Sequence, residues 1–269
     1  MDDGTTQPMG LHTSEFGDVA VELDADGVAT VELRRPPSNY FDVELIGSLA
    51  DAYDALGSDA RCRAILLCSQ GRHFCAGARF GGADRPGAPW DPADLYREAA
   101  RLLEVTKPVV AAVQGAAVGG GLGVACTADF RVCTPTTRFS ANFARLGIHH
   151  GFGLSATLPG IIGTQRTRLL LLTGRTVSGT EAVGLGLADA LAEPEELRPT
   201  ARALAKEVAS AAPLAVASIK QTLDEGRIDR FRAATARELR EQSVHFGTRD
   251  FIEGVDAAAA RREPVFEGR

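Results

Sequence analysis

From Val19 to Leu33 the chain reads VAVELDADGVATVEL, with apolar and polar residues alternating on both sides of Asp26-Gly27. A period of two on either side of an Asp-Gly pair predicts a β-hairpin. The RRPPSN that follows ends it, because proline cannot continue a strand ladder. The period then changes. Val43, Ile46, Leu49, Ala50, Tyr53 and Leu56 recur at helical spacing. AILLC, from Ala64, is short and wholly apolar, which predicts a buried strand. PVVAAVQG, from Pro108, predicts a second, and DFRVCTP, around Phe130, a third. Helices are expected from about Ala93 to Val105 and from about Gly121 to Thr127. GGADRPGAPWDP, Gly81 to Pro92, reads as a flexible surface loop. A strand–loop–helix unit therefore recurs without sequence self-similarity, and the fold class is α/β.

After about Glu195 the character shifts. LRPTARALAKEVASAAPLAVASIKQTL and the segment from Ile228 to Arg262 are Ala-, Arg- and Glu-rich and helical by period. No Gly/Ser linker precedes them, so they are expected to pack on the core or on a neighbouring subunit. The organisation that follows is a mobile tail over 1–12, a core over 13–195 and a helical region over 196–269.

With 269 residues, 45% hydrophobic, the chain can bury a large core. A net charge of −6 argues against a nucleic-acid partner, which calls for a basic face. Five cysteines, an odd number with no CxxC pair, suggest neither a disulfide framework nor a zinc site. Buried thiols in a reducing cytoplasm are the expectation. The polar, acidic start lacks the apolar segment of a signal peptide, and no run is long enough to span a membrane.

The chemistry centres on VQGAAVGGGLG. Gly119, Gly120 and Gly121 either let a strand turn tightly into a packed helix or leave N–H groups bare at a helix N-terminus, where an oxyanion can bind. Nucleotide motifs do not fit. There is no GxxxxGK[ST], and GFGLSA, Gly151 to Ala156, lacks the preceding strand and the later acidic residue of a dinucleotide site. Ser155 sits in GLSAT, so there is no GxSxG elbow. HFCAGARF, His73 to Phe80, is a second glycine-bearing loop after a buried strand. Two such turns can each offer one N–H to a single carbonyl oxygen and stabilise a thioester enolate.

HFCAGA and VQGAAVGGGLG, with ADFRV after the second, resemble the two signature loops of the crotonase (enoyl-CoA hydratase/isomerase) superfamily. LRRPPSN resembles that family's LNRPxxN. Gly163 to Leu191 resembles its GxxxAxxLxLTG stretch, and Ile252 to Phe266 its terminal EGxxAFxEKRxPxF. The five pieces fall in order over almost the whole chain. The resemblance implies a spiral of ββα turns with a C-terminal helical region that builds homotrimers, often paired into hexamers. It implies an acyl-CoA ligand, with no cofactor beyond the coenzyme A of the substrate. Ala78 and Gly120 inherit the oxyanion-hole N–H groups. Adenine is expected along Gly77, Ala78, Arg79 and Phe80. Arg34 or Arg35 and, across the trimer, Lys220 and Phe266 are expected to hold phosphates and adenine.

One departure matters. The two glutamates of the family's hydratases fall on Gly123, in GGGLG, and on Phe143, in FSANF. Neither can titrate, so the oxyanion hole is kept and the acid/base pair is lost. His149 and His150 lie where other branches of the family place an acid, and His150 is the candidate replacement, against a plain turn-filling role. Asn142 and Arg145 are polar neighbours. Asp84, Asp91 and Asp94 are read as solvated, and His73, Glu104 and Asp129 as structural. Two functions stay open. One is an enzyme with another acid or base: an isomerase, thioester hydrolase, decarboxylase or retro-aldol lyase. The other is a silent acyl-CoA binder.

Overall fold

The computed structural model describes residues 12–78 and 93–269. The tail expected over 1–12, apart from residue 12, the surface loop expected over 81–92 with Asp84 and Asp91, and the binding expected of Arg79 and Phe80 lie outside the described residues. The predicted hairpin is present: β2 (Val19–Leu23) pairs antiparallel with β3 (Val28–Leu33), and β1 (His12–Phe16) adds outside β2. From β3 the sheet continues in parallel through β4 (Ala64–Ser69), β5 (Val109–Val113), β7 (Phe130–Cys133) and β10 (Ala190–Leu191). A second, three-stranded sheet holds β6 (Ala116–Val118), β8 (Arg138–Ser140) and β9 (Thr176–Ser178).

Both faces of the large sheet are buried, which is why β5, and β4 up to Cys68, are apolar throughout rather than alternating. Ile65, Leu67, Val109, Ala111 and Val113 face the main core. That core is shared with α1 (Val43–Ser58), α2 (Ala93–Arg101) and α3 (Gly120–Thr127). Ala64, Leu66, Cys68, Val110 and Ala112 face the other way, against α7 (Leu197–Ser210). Ala201, Ala205 and Ala209 recur every four residues on α7 and leave room for it to lie close on the sheet. Of the helices after residue 196, α7 thus packs on the core of its own chain.

The helix expected to reach Val105 stops at Arg101. Leu102, Leu103 and Glu104 instead make tighter bonds to residues three back. The turn brings Pro108 to the start of β5, and a proline restricts the residue before it to extended backbone. All five cysteines are buried and free, and burial pushes their thiols up to about 11 or 12. Among the described residues no helix is long and apolar enough to cross a membrane.

The remaining helices are α4 (Leu154–Ile162), α5 (Thr164–Thr173), α6 (Gly179–Leu185), α8 (Pro213–Leu223), α9 (Arg227–His245) and α10 (Arg249–Ala260). The buried stripe of α9 is unusual: Phe231, Thr235, Glu238 and Gln242, three of them polar. It packs against α2 and α4. The C-terminal tail folds back on α10, where the Arg249 and Asp250 N–H groups donate to the Arg269 carbonyl at 2.8 and 3.2 Å.

Arg131 anchors the end of α3. Its buried guanidinium donates to the carbonyls of Leu187 (2.7 Å), Ala128 (2.8 Å), Ala125 (3.3 Å) and Asp129 (3.3 Å). A cation at a helix C-terminus also opposes the helix dipole. Arg131→Leu strips these acceptors of their donor, and urea unfolding is expected to show a loss of about 3 kcal/mol.

Candidate active site

The site begins with Asn39, a fully buried residue of the PPSN segment. Its amide donates to the carbonyls of Gln70 (2.8 Å) and His73 (2.7 Å), and its oxygen accepts from Arg35 N–H at 2.9 Å. These bonds fix the loop after β4. The next residues are threaded between two extended segments. Ala76 N–H donates to Ser38 O and Phe41 N–H to Gly77 O on one side; Cys75 N–H donates to Ala116 O and Val118 N–H to Cys75 O on the other. The first signature loop is thereby zipped to β6, which leads into the glycine triplet.

The triplet has a separate reason at each position. Gly119 precedes α3 with φ 57°, a backbone that side chains resist. A Cβ on Gly120 would lie 2.3 Å from Phe41 Cζ, and one on Gly121 2.1 Å from Cys75 O. The glycines permit close packing, and the packing brings the two loops side by side. Among the described residues neither the Ala78 nor the Gly120 N–H has a hydrogen-bond partner.

Both residues line one pocket, together with Gly77 and Phe143. Its walls are mainly apolar. Phe41 and Phe152 meet edge to face, with ring centroids 5.4 Å apart. Phe152 adopts φ 59° and is 1% exposed; its ring lies where a Cβ on Gly123 would stand, 2.6 Å away. The polar side chains of the described lining are Tyr96, Asn142 and Gln242. Tyr96 Oη donates to Gln242 Oε1 at 2.7 Å, and Gln242 Nε2 donates to His149 O at 3.0 Å. Gly151 leaves space for both, since a Cβ there would fall 2.0 Å from the Tyr96 hydroxyl.

Sequence reasoning missed Phe41, Tyr96, Phe152 and Gln242. A readable signal existed for the last: polar residues at 235, 238 and 242 fall on the same helical face as Phe231. Arg35, Lys220 and Phe266 do not line this pocket. Arg35 pairs with Asp18 (2.5 Å) and Asp42 (2.7 Å). Lys220 lies between Asp129 (2.7 Å) and Asp224 (3.0 Å), on a different groove. Phe266 is 41% exposed on the tail held to α10. Asp129, expected at a strand end, also accepts from Val109 N–H.

His150, the candidate replacement for the acid/base pair, is not among the described residues lining this pocket. It stacks on His149 at 4.1 Å, and its Nε2 is buried without a hydrogen-bond partner, 3.6 Å from Glu238. Glu238 is itself fully buried and accepts from Gly153 N–H, Ser155 N–H and Ser155 Oγ, closing the N-terminus of α4. Desolvation by burial, with His149 stacked beside it, pulls His150 down to about 4. Burial pushes the Glu238 carboxyl up. Among the described residues no three His, Cys, Asp or Glu side chains are placed to hold a metal ion.

A histidine whose pKa is lower in the folded chain stabilises it above the unfolded pKa of 6.5, and that contribution is lost as pH falls toward 4. Wild type should therefore lose up to ~3 kcal/mol relative to His150→Gln between pH 6.5 and 4, measured as the difference in denaturant midpoints.

The comparisons with known proteins identify the family and the fold. The sequence model of the family described as enoyl-CoA hydratase/isomerase matches residues 24–269. A probable enoyl-CoA hydratase of Bacillus subtilis is 30% identical over 255 residues, 93% of this chain and 99% of the relative. A carnitinyl-CoA dehydratase of Salmonella arizonae is 30% identical over 249 residues, 90% of this chain and 95% of the relative. Two crystal structures share the fold. An enoyl-CoA hydratase/isomerase from Pseudoalteromonas atlantica superposes with a TM-score of 0.82 at 28% identity, covering 93% of this chain and all of its own. An enoyl-CoA hydratase from Mycobacterium avium subsp. paratuberculosis gives 0.80 at 28% identity, covering 93% and 98%. The spiral α/β fold, the paired glycine loops and this breadth of match place the chain in the enoyl-CoA hydratase/isomerase family of the crotonase superfamily.

Proposed function

We propose that this protein binds an acyl-CoA thioester with its carbonyl oxygen between the N–H groups of Ala78 and Gly120, and stabilises the enolate formed from it. The observation that carries this is the pair of unpartnered N–H groups on one apolar pocket. A low-polarity surrounding strengthens such donors, and the dipole of α3 adds to the Gly120 side. The coenzyme A part of the substrate is the only cofactor needed. Arg35, Arg79, Phe80, Lys220 and Phe266 remain candidates for its phosphates and adenine.

The second part of the proposal is that hydration is not its reaction. The positions aligned with the two hydratase carboxylates hold Gly123 and Phe143, and the described lining carries no carboxylate. A glutamate at 123 has no room while Phe152 stays in place. The same absence favours a second reading, a catalytically silent acyl-CoA binder.

Titration calorimetry with butyryl-CoA should show saturable binding, while crotonyl-CoA hydration, followed by loss of enoyl absorbance, stays near background. Each lost acid or base removes roughly a hundred- to ten-thousand-fold. Hydration at an ordinary enzyme's rate would overturn the second part, and no binding the first. Gly123→Glu should lower the thermal midpoint, and Phe152→Ala in the same chain should relieve part of that loss by vacating the space.

The assembly is also proposed. Helix α8 has no buried residue and exposes Leu214, Ile219 and Leu223. Such an uncovered apolar face suits an interface between copies, and the family resemblance points to a trimer or hexamer. Light scattering is expected to give three or six chain masses; a monomer at micromolar concentration would remove this assignment.

A further inference from the structure

The pocket residues Asn142, Phe143 and Leu146 belong to one short 3-10 turn, Asn142–Leu146. Such a turn has poor hydrogen-bond geometry, so packing from outside must hold it. Behind it lies α10. The two meet backbone to backbone, with a glycine on each side. A Cβ on Gly254, in α10, would stand 2.7 Å from Leu146 Cα and nearer still to its carbonyl carbon. One on Gly147, at the end of the turn, would stand 2.8 Å from Phe251 N. The opposing atoms are backbone, so no side-chain rotation could make room for either. Leu146 therefore has α10 against its backbone while the residue itself lines the pocket.

Helix α10 has little other burial to fix it: Gly254 and Ala257 are its buried residues. The segment that follows ties it in place. Glu253, beside Gly254, accepts from both arms of Arg262 at 2.6 and 2.7 Å and from Val265 N–H at 2.7 Å. Asp250 accepts from the N–H groups of Glu267 and Gly268 at 2.7 and 2.9 Å. Glu263 reaches Arg145 of the turn at 3.4 Å, and Arg145 also donates to Thr173 O at 3.2 Å. A two-armed arginine–carboxylate pair fixes direction as well as distance. Residues 262–268 thus clasp α10 and the turn together.

We propose that Gly254 and the clasp at Glu253 set the length of acyl chain the pocket admits, by fixing how near α10 holds Leu146 to it. This rests on the acyl-thioester reading of the pocket. Gly254 is then a specificity-determining residue and Glu253 a positioning residue, and neither is among the described residues lining the pocket. Densely packed elements transmit a displacement instead of absorbing it. A methyl group added between α10 and the turn pushes Leu146 toward the pocket. A loosened clasp lets it withdraw. One methylene in an apolar site is worth roughly tenfold or more in affinity, so small shifts of this wall sort acyl chains by length.

The test is titration calorimetry of the full chain with free CoA and with acetyl-, butyryl-, hexanoyl- and octanoyl-CoA. Gly254→Ala is expected to weaken the longest thioester that wild type binds by roughly tenfold or more, with free CoA unchanged. Leu146→Ala in the same chain should restore that binding. A general loss of stability would not be repaired this way, because trimming a buried leucine destabilises further. Glu253→Gln keeps an acceptor for Val265 N–H and removes the charge pair with Arg262. It should shift preference toward longer chains, and it decides the matter if the Gly254 variant misfolds. Unchanged chain-length preference in the folded variants, or equal losses for free CoA and thioester, overturns the inference and leaves the acyl-thioester reading standing. Wild type that binds no thioester more tightly than free CoA removes both.

Discussion

The whole site depends on one contact between two backbones. At Gly121 the first turn of α3 lies so near the carbonyl of Cys75 that a methyl group would stand 2.1 Å from it. Gly77 meets Val118 O almost as closely, at 2.7 Å to its missing Cβ. Close packing at two points locks the loops in register, and the lateral bonds between Cys75 and residues 116–118 hold that register. With the loops locked, Ala78 and Gly120, whose N–H groups have no hydrogen-bond partner among the described residues, line the same pocket. An unpartnered donor costs free energy in a folded chain. Here that cost is carried by the two dense cores on either face of the large sheet.

Those features that the backbone demands were legible in the sequence. Glycine triplets, the Asp-Gly hairpin and proline stops state what dihedral angles and distances the chain requires, and each stood where it was expected. The doubly buried sheet was visible in AILLC and VVAAV, because neither run alternates. The side-chain neighbourhoods were less legible. Nothing local tells that Phe152 fills the space beside Gly123, or that Lys220 meets Asp129 from 91 residues away. His150 illustrates the difference: a histidine near the aligned position reads as a proton-transfer group, while its burial against Glu238 depends on a helix 88 residues later. Burial decides the charge state, and burial is a property of the assembled fold.

The helix α9 reverses the usual relation between burial and polarity. Its inward stripe carries a threonine, a carboxylate and an amide, all with partners. Fully satisfied buried polar groups specify a geometry more narrowly than apolar packing does, because hydrogen bonds tolerate little misalignment. Glu238 sets where α4 begins, and Gln242 sets how Tyr96 and the 149–152 turn face the pocket. The apolar floor is thus positioned by polar bonds behind it.

This arrangement has a consequence for synthesis. The chain is made from its N-terminus, and the two glycine loops leave the ribosome more than a hundred residues before Gln242. Until α9 arrives, the turn carrying Phe152 lacks both the carboxylate and the amide that hold it. The nascent chain therefore owns the two bare N–H groups well before it owns a closed pocket around them. A chain cut short before residue 238 keeps the signature motifs while losing the bonds that hold the turn carrying Phe152.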